Sequence, residues 1–211
     1  MAIFEDTIGF ASGSWRLEGR LGLGAGRDAV VISHPHPLYG GDLDNPVVEA
    51  LASVYRQLGY TTLRFNFRGV GASEGVYDDG RGEQDDLRAA AAYLAGLGKT
   101  VSDLAGYSFG AWVQVHLNPS IATVRRQLLV APPVAYLAFD AIAELPPQLV
   151  VVTGDQDRIA PAALLREQAH RWRPEVRLHV LPGVDHFYSG ALQRLAALLL
   201  SELAPDRVDR A

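Results

Sequence analysis

Gly106-Tyr107-Ser108-Phe109-Gly110 is the stretch on which the reading of this chain turns. It has the form Gly-x-Ser-x-Gly. Before it, Val101-Ser102-Asp103-Leu104-Ala105 reads as a short strand with one polar interruption. After it, Ala111-Trp112-Val113-Gln114-Val115-His116-Leu117 reads as a helix. In a strand–turn–helix context this pattern pushes the serine into a strained, exposed position at the carboxyl end of a strand. Glycines on either side leave room where a Cβ would crowd the strand or the helix. The bland alternative is a serine in a Gly-rich turn. The rest of the chain decides between them.

Working outward, strands and helices alternate. Thr7-Ile8-Gly9-Phe10 and Trp15-Arg16-Leu17-Glu18-Gly19-Arg20-Leu21 flank a turn and predict an antiparallel hairpin. Asp28-Ala29-Val30-Val31-Ile32-Ser33 is a continuous apolar run, as a strand buried on both faces requires. Asn45-Pro46 opens a helix that Gly59 closes. Further strands are predicted at residues 60–67, 127–131, 149–153 and 176–181. Helices are predicted at residues 82–98, 162–172 and 189–203. The pattern predicts a three-layer α/β/α sandwich, with a mostly parallel twisted sheet and an antiparallel N-terminal hairpin. No repeat or linker interrupts residues 1–211, so one domain is expected.

Composition narrows the partners. The chain has 211 residues, 48% hydrophobic and 20% charged, with net charge −5. Nucleic acid and anionic membrane both call for a basic patch, and neither is expected here. With no cysteine, thiolate chemistry, disulfides and Cys-based metal sites are excluded. The N-terminus lacks a basic region followed by an apolar core, and no apolar run approaches a membrane span, so a cytoplasmic location is expected.

Ligands of open α/β sheets sit beyond the carboxyl ends of the strands. Four elements fall there: His34-Pro35-His36-Pro37-Leu38-Tyr39, Ser108, the turn Gly154-Asp155-Gln156-Asp157, and Asp185-His186-Phe187. The paired histidines could suggest a metal site, but no carboxylate or further histidine stands nearby at ligand spacing, so a rigid loop is favoured. A serine needs a base to take its proton as it attacks, and His186, on a loop beyond the last strand, is the candidate. His116 and His170 lie in helices and His179 lies mid-strand.

Together these pieces resemble the α/β-hydrolase superfamily, in particular its small, lidless esterase-like members of the dienelactone hydrolase and serine aminopeptidase type. The resemblance runs from about Arg16 to Leu203. It rests on His34-Pro35-His36-Pro37, where the family often shows His-Gly, and on Arg68-Gly69-Val70-Gly71-Ala72-Ser73 after the next strand. Asn66 stands where many members carry Asp. The match continues through the Gly-x-Ser-x-Gly, Gly154-x-x-Asp157 and Asp185-His186-Phe187, in the order Ser, Asp, His.

The resemblance implies a serine hydrolase cleaving small carboxylic esters or thioesters through an acyl-enzyme, with no metal or organic cofactor. Ser108 is the implied nucleophile, His186 the base and Asp157 its acid partner, with Asp155 the alternative acid; Asp185 is read as structural. Phe109 supplies one oxyanion N–H. Aligning His34-Pro35 with the family's His-Gly makes His36 the second donor, with Leu38 and Tyr39 as alternatives. A small peptidase or amidase, or a non-catalytic binding protein on a hydrolase fold, are the competing readings. The segment at residues 132–147 is too short for a large lid. A helix there could wall one side of a pocket, and acyl chains of about two to six carbons are expected to fit best. Leu38, Tyr39, Trp112, Tyr136, Phe139 and Phe187 are the expected pocket residues, the alternative for each aromatic being ordinary core packing.

Overall fold

A computed structural model describes residues 5–117, 121–140, 142 and 145–204 of the chain. The strands are β1 (Asp6–Ser12), β2 (Trp15–Gly22), β3 (Asp28–Ser33), β4 (Thr61–Phe65), β5 (Thr100–Tyr107), β6 (Arg126–Val130), β7 (Gln148–Gly154) and β8 (Arg177–Leu181). The helices are α1 (Pro46–Gln57), α2 (Arg81–Gly96), α3 (Phe109–Val115), α4 (Ala162–Trp172) and α5 (Leu192–Leu203). One sheet holds the strands in the order β1-β2-β4-β3-β5-β6-β7-β8. The β1–β2 and β2–β4 pairings are antiparallel and all others are parallel.

Side-chain alternation along β3 shows how the layers form. Val30 and Ile32 join a core with Val47, Leu51 and Tyr55 of α1 and Leu195 and Leu199 of α5. Ala29 and Val31 point the other way, into a core with Leu87, Ala90 and Leu94 of α2. Successive strand residues face opposite sides, so helices cover both faces and the strand is apolar throughout. The hairpin turns at Gly13, whose φ of 58° suits glycine. Asn45 caps α1 by accepting the Val47 N–H at 2.9 Å, and Gly59, with φ 88°, follows its end.

Several boundaries differ from the sequence expectation by one or two residues, as at β4 and α2, and three differences bear on the site. The last helix begins at Leu192 rather than Ser189, because Tyr188 and Gly190 take φ values of 56° and 69° that no helix accommodates. The helix after the Gly-x-Ser-x-Gly stops at Val115. Residues 134–140 form a single turn at 134–136 and an irregular stretch rather than a helix: the Tyr136 and Leu137 N–H groups close that turn on the Pro133 carbonyl at 3.0 Å, while the Ala135 N–H is drawn out of it to the Ile159 carbonyl at 3.1 Å. The remainder of that predicted wall, Ala141, Ala143 and Glu144, lies outside the described residues, as do residues 1–4 and the tail at 205–211. No described helix is long and apolar enough to cross a membrane.

Candidate active site

Ser108 occupies the turn between β5 and α3 with φ 53° and ψ −115°, a conformation that L-residues rarely adopt. Its neighbours enforce it. A Cβ on Gly106 would stand 2.6 Å from the Ala111 nitrogen, and one on Gly110 would stand 2.5 Å from the Ser33 carbonyl and 2.7 Å from that of His34. The Ser108 N–H donates to the Val130 carbonyl of the adjacent strand at 2.8 Å. The turn is thus clamped between β3 and β6.

Two further loops meet at this turn. The Ser108 hydroxyl donates to His186 Nε2 at 3.0 Å, and His186 Nδ1–H donates to Asp157 Oδ2 at 2.8 Å. Asp157 Oδ1 accepts the N–H groups of Ile159 and Ala160 at 2.8 and 2.7 Å, so the carboxylate is fully engaged and cannot swing away. Gly154 allows this convergence, because a Cβ there would collide with the Val184 carbonyl in the loop that carries His186. The three side chains are mostly withdrawn from solvent: Ser108, Asp157 and His186 are 7%, 4% and 7% exposed.

The other carboxylates of these loops have different partners. Asp155 is exposed and accepts the Gly183 N–H at 2.7 Å. Asp185 accepts the N–H groups of Phe187 and Ser189 at 3.1 and 3.3 Å. Both tie loop backbone together and neither reaches the imidazole. Tyr107, immediately before the serine, donates its hydroxyl to the His186 carbonyl at 2.8 Å. Burial, then the nearby charges of Asp157 and Asp185, raise that phenol's pKa strongly, so it stays a donor.

The loop after β3 forms the facing wall. His34 is fully buried, with Nδ1–H donating to the Pro35 carbonyl at 2.6 Å and Nε2 accepting the Phe67 N–H at 3.0 Å. Both nitrogens are therefore occupied, and His34 and His36 do not act as a metal pair. Burial drives the His34 imidazole down to about 4, against the opposing effect of its bond to Pro35. Of the three N–H groups considered as oxyanion donors in this loop, two are engaged within it. Leu38 donates to His36 Nδ1 at 3.2 Å and Tyr39 to the His36 carbonyl at 3.1 Å. The ring of His36 packs against that of Phe109 with centroids 4.8 Å apart. Phe109 is the first residue of α3, so its N–H has no carbonyl partner inside the helix.

A cleft of about 650 Å³ opens over Ser108. Its lining includes His36, Tyr39, Phe109, Tyr136, His186 and Phe187, together with Pro35, Gly40, Gly41, Asn45, Tyr107, Pro133, Leu137 and Ile159. Tyr39, Tyr136 and Phe187 are 87%, 73% and 69% exposed, so three aromatic rings from three loops stand at the mouth. Leu38, Trp112 and Phe139 are not in the lining. Leu38 points to solvent from its turn. Trp112, one helical turn on from Phe109 along α3, is stacked on it and donates Nε1–H to the Ala138 carbonyl at 2.8 Å. Phe139 is buried and stacked on Trp172 of α4. For these two aromatics the core-packing alternative holds. Among the lining residues there is no Asp, Glu, Lys or Arg.

No protein-family model matches the chain. It is 32% identical over 185 residues to an uncharacterized protein of Rickettsia prowazekii, covering 82% of this chain and 78% of that protein. The solved structure of an α/β serine hydrolase homologue from Coxiella burnetii aligns with a TM-score of 0.85 at 33% identity, over 97% of this chain and 100% of that one. A lidless α/β serine hydrolase from Xanthomonas campestris aligns with a TM-score of 0.86 at 29% identity, over 98% of each chain.

Proposed function

The chain belongs to the α/β-hydrolase superfamily, among its lidless serine-hydrolase homologues, and from that premise we propose that it hydrolyses carboxylic esters or thioesters through an acyl-enzyme on Ser108. The observation that carries this reading is the unbroken chain Ser108–His186–Asp157, at 3.0 and 2.8 Å, on a strained turn at the floor of the cleft.

In the proposed reaction Ser108 Oγ attacks the substrate carbonyl carbon as its proton passes to His186 Nε2. Asp157 holds Nδ1–H, fixing the tautomer and facing the imidazolium as it forms. The carbonyl oxygen becomes an oxyanion, which the N–H groups of Phe109 and His36 receive. Collapse breaks the bond to the alcohol or thiol, and the departing atom takes the proton from His186. Water then attacks the acyl-enzyme, with His186 again accepting a proton. The acid leaves and Ser108 is restored.

The cleft's lining supports an ester over a peptide amino terminus, since no carboxylate stands there to hold an ammonium group. Its volume lies within the roughly 300–1,000 Å³ range of sites that enclose drug-sized ligands, which leaves room for more than a short acyl chain. The substrate is therefore read as a small-molecule acyl compound whose apolar part, aromatic or aliphatic, rests among Tyr39, Tyr136 and Phe187. A fluorophosphonate probe tests the reading. It should label the native protein at Ser108 and leave Ser108→Ala unlabelled. A folded native protein that resists the probe and leaves p-nitrophenyl acetate intact would sink it.

A further inference from the structure

We propose that Tyr77, which does not line the cleft, is a positioning residue for the oxyanion site, holding the His36 loop in register with Phe109. This rests on the reading of Ser108 as nucleophile and of His36 and Phe109 as the N–H donors.

His36 is held chiefly by its own ring. Its loop carries two prolines and projects the exposed side chains of Leu38 and Tyr39, so little side-chain packing secures it. The imidazole provides the anchor. Nδ1 accepts the Leu38 N–H at 3.2 Å and Nε2 lies 3.3 Å from the Tyr77 hydroxyl. An accepting Nδ1 has no proton, so in the neutral ring the proton sits on Nε2 and is donated to Tyr77 Oη; the tautomer is assigned from this network. The rings of His36, Tyr77 and Phe109 close a triangle with centroid separations of 4.8, 5.2 and 5.9 Å. Two corners of that triangle are the residues whose N–H groups would meet the oxyanion. The third corner is Tyr77, which binds one by hydrogen bond and packs on both.

Tyr77 is itself firmly held. Glu83 accepts the N–H groups of Asp78 and Gly80 at 3.0 and 2.8 Å, and Asp78 accepts that of Gly82 at 3.1 Å. A Cβ on Gly80 would collide with the Trp112 ring, so the turn sits directly against α3. Next to it Asp79 takes a φ of 49°. Among the described residues Asp79, Ser108, Ala131 and Tyr188 are the non-glycines with positive φ. Ser108 is the serine itself, Tyr188 lies two residues beyond His186, and Ala131 follows the strand whose carbonyl holds the Ser108 N–H. Such strain persists where surrounding structure over-determines it, and it gathers at functional sites. The turn that presents Tyr77 belongs to this set, although it lies outside the cleft.

Tyr77→Phe keeps the ring and removes the oxygen. With p-nitrophenyl acetate, kcat should fall about tenfold with KM nearly unchanged, since the loss acts on a group engaged only as charge develops. Affinity for a trifluoromethyl ketone should fall by the same factor. That ketone forms a bond from its carbonyl carbon to Ser108 Oγ, sends the serine proton to His186 and leaves an oxyanion in the hole. A kcat and ketone affinity both within twofold of the native protein would overturn the proposal, as would a raised KM at unchanged kcat. If Tyr77→Phe does not fold, Asp79→Asn serves, since it alters the carboxylate that hydrogen-bonds the Tyr77 side chain: kcat and ketone affinity should weaken while KM holds, and unchanged ketone affinity overturns the idea. Native protein that neither labels with fluorophosphonate nor binds the ketone would sink the hydrolase reading together with this one. Native protein that does both, beside an indistinguishable Tyr77→Phe, would overturn only the role of Tyr77.

Discussion

The Tyr107 hydroxyl donates to the main-chain carbonyl of His186 at 2.8 Å, so the residue before the serine holds the loop that carries the imidazole. The contact joins positions 79 apart in sequence, inside the buried floor of the site. It also places the two rings 5.5 Å apart at an angle of 33°. Removing the hydroxyl leaves a buried acceptor without its partner, at a cost of about 1–3 kcal/mol. Tyr107→Phe should therefore lower both stability and kcat while KM changes little. Urea unfolding and steady-state kinetics on one preparation would test this, and native-like values in both would refute it.

The strained serine yields a prediction that separates activity from stability. Ser108→Ala should fold normally and lose several orders of magnitude in turnover. Ser108→Gly should be equally inactive. It should also be more stable than Ser108→Ala by about 1 kcal/mol, because glycine accepts the φ of 53° without strain. Comparing urea midpoints of the two variants decides it; equal midpoints would mean that the turn stores no strain.

Asp157 and Asp155 stand two residues apart with unlike partners. Asp157→Asn should reduce kcat by several orders of magnitude, because an amide favours the wrong imidazole tautomer. Asp155→Asn should cost less than tenfold, since it disturbs only the exposed bond to the Gly183 N–H. The reverse ranking in kcat would displace Asp157 from the proposed role.

His34 predicts how the fold responds to acid. Its folded value of about 4 lies below the ordinary 6.5, so between those two pH values the unfolded chain binds the extra proton. The neutral ring's contribution is intact above the window and is lost as pH falls through it. The loss is on the order of 3 kcal/mol at the acid end. Unfolding free energies measured on both sides of the window should show a steeper decline in the native protein than in His34→Asn. Parallel pH curves would contradict the assignment.

Much of the fold was legible because the parallel strands are short apolar runs and their boundaries carry glycines, prolines and capping residues. The approach of Ser108, Asp157 and His186 was legible for a related reason: all three follow strand ends, which one sheet brings to one edge. What each aromatic touches was not legible. Trp112 and Phe139 are aromatic like Tyr136 and Phe187, but the turn of α3 and the irregular path of residues 134–140 direct them into the core. Nothing local signals such a rotation. The link between His36 and Tyr77 spans 41 positions and depends on a turn made by Asp79 and Gly80. Asn66 is a smaller case. Its Oδ1 accepts the Leu43 N–H and its Nδ2 donates to Glu18, a pairing an aspartate could not make. The reason for Asn at that position is visible only once these partners are placed.

Gly110 carries a consequence for how the cleft can discriminate. Its backbone lies so close to the Ser33 and His34 carbonyls that no side chain fits between, and backbone contacts have no alternative rotamers to adopt. The turn bearing Ser108 and the start of the loop bearing His36 are therefore one rigid piece. An enzyme that assembles its site on binding can reject a poor ligand by failing to close around it. Here the floor and the foot of that wall are already joined before any ligand arrives, and Tyr77 is the proposed hold on the rest of it. Selection among ligands then rests on fit to a fixed shape, and altering it means recarving the rim at Tyr39, Tyr136 and Phe187 rather than retuning a hinge.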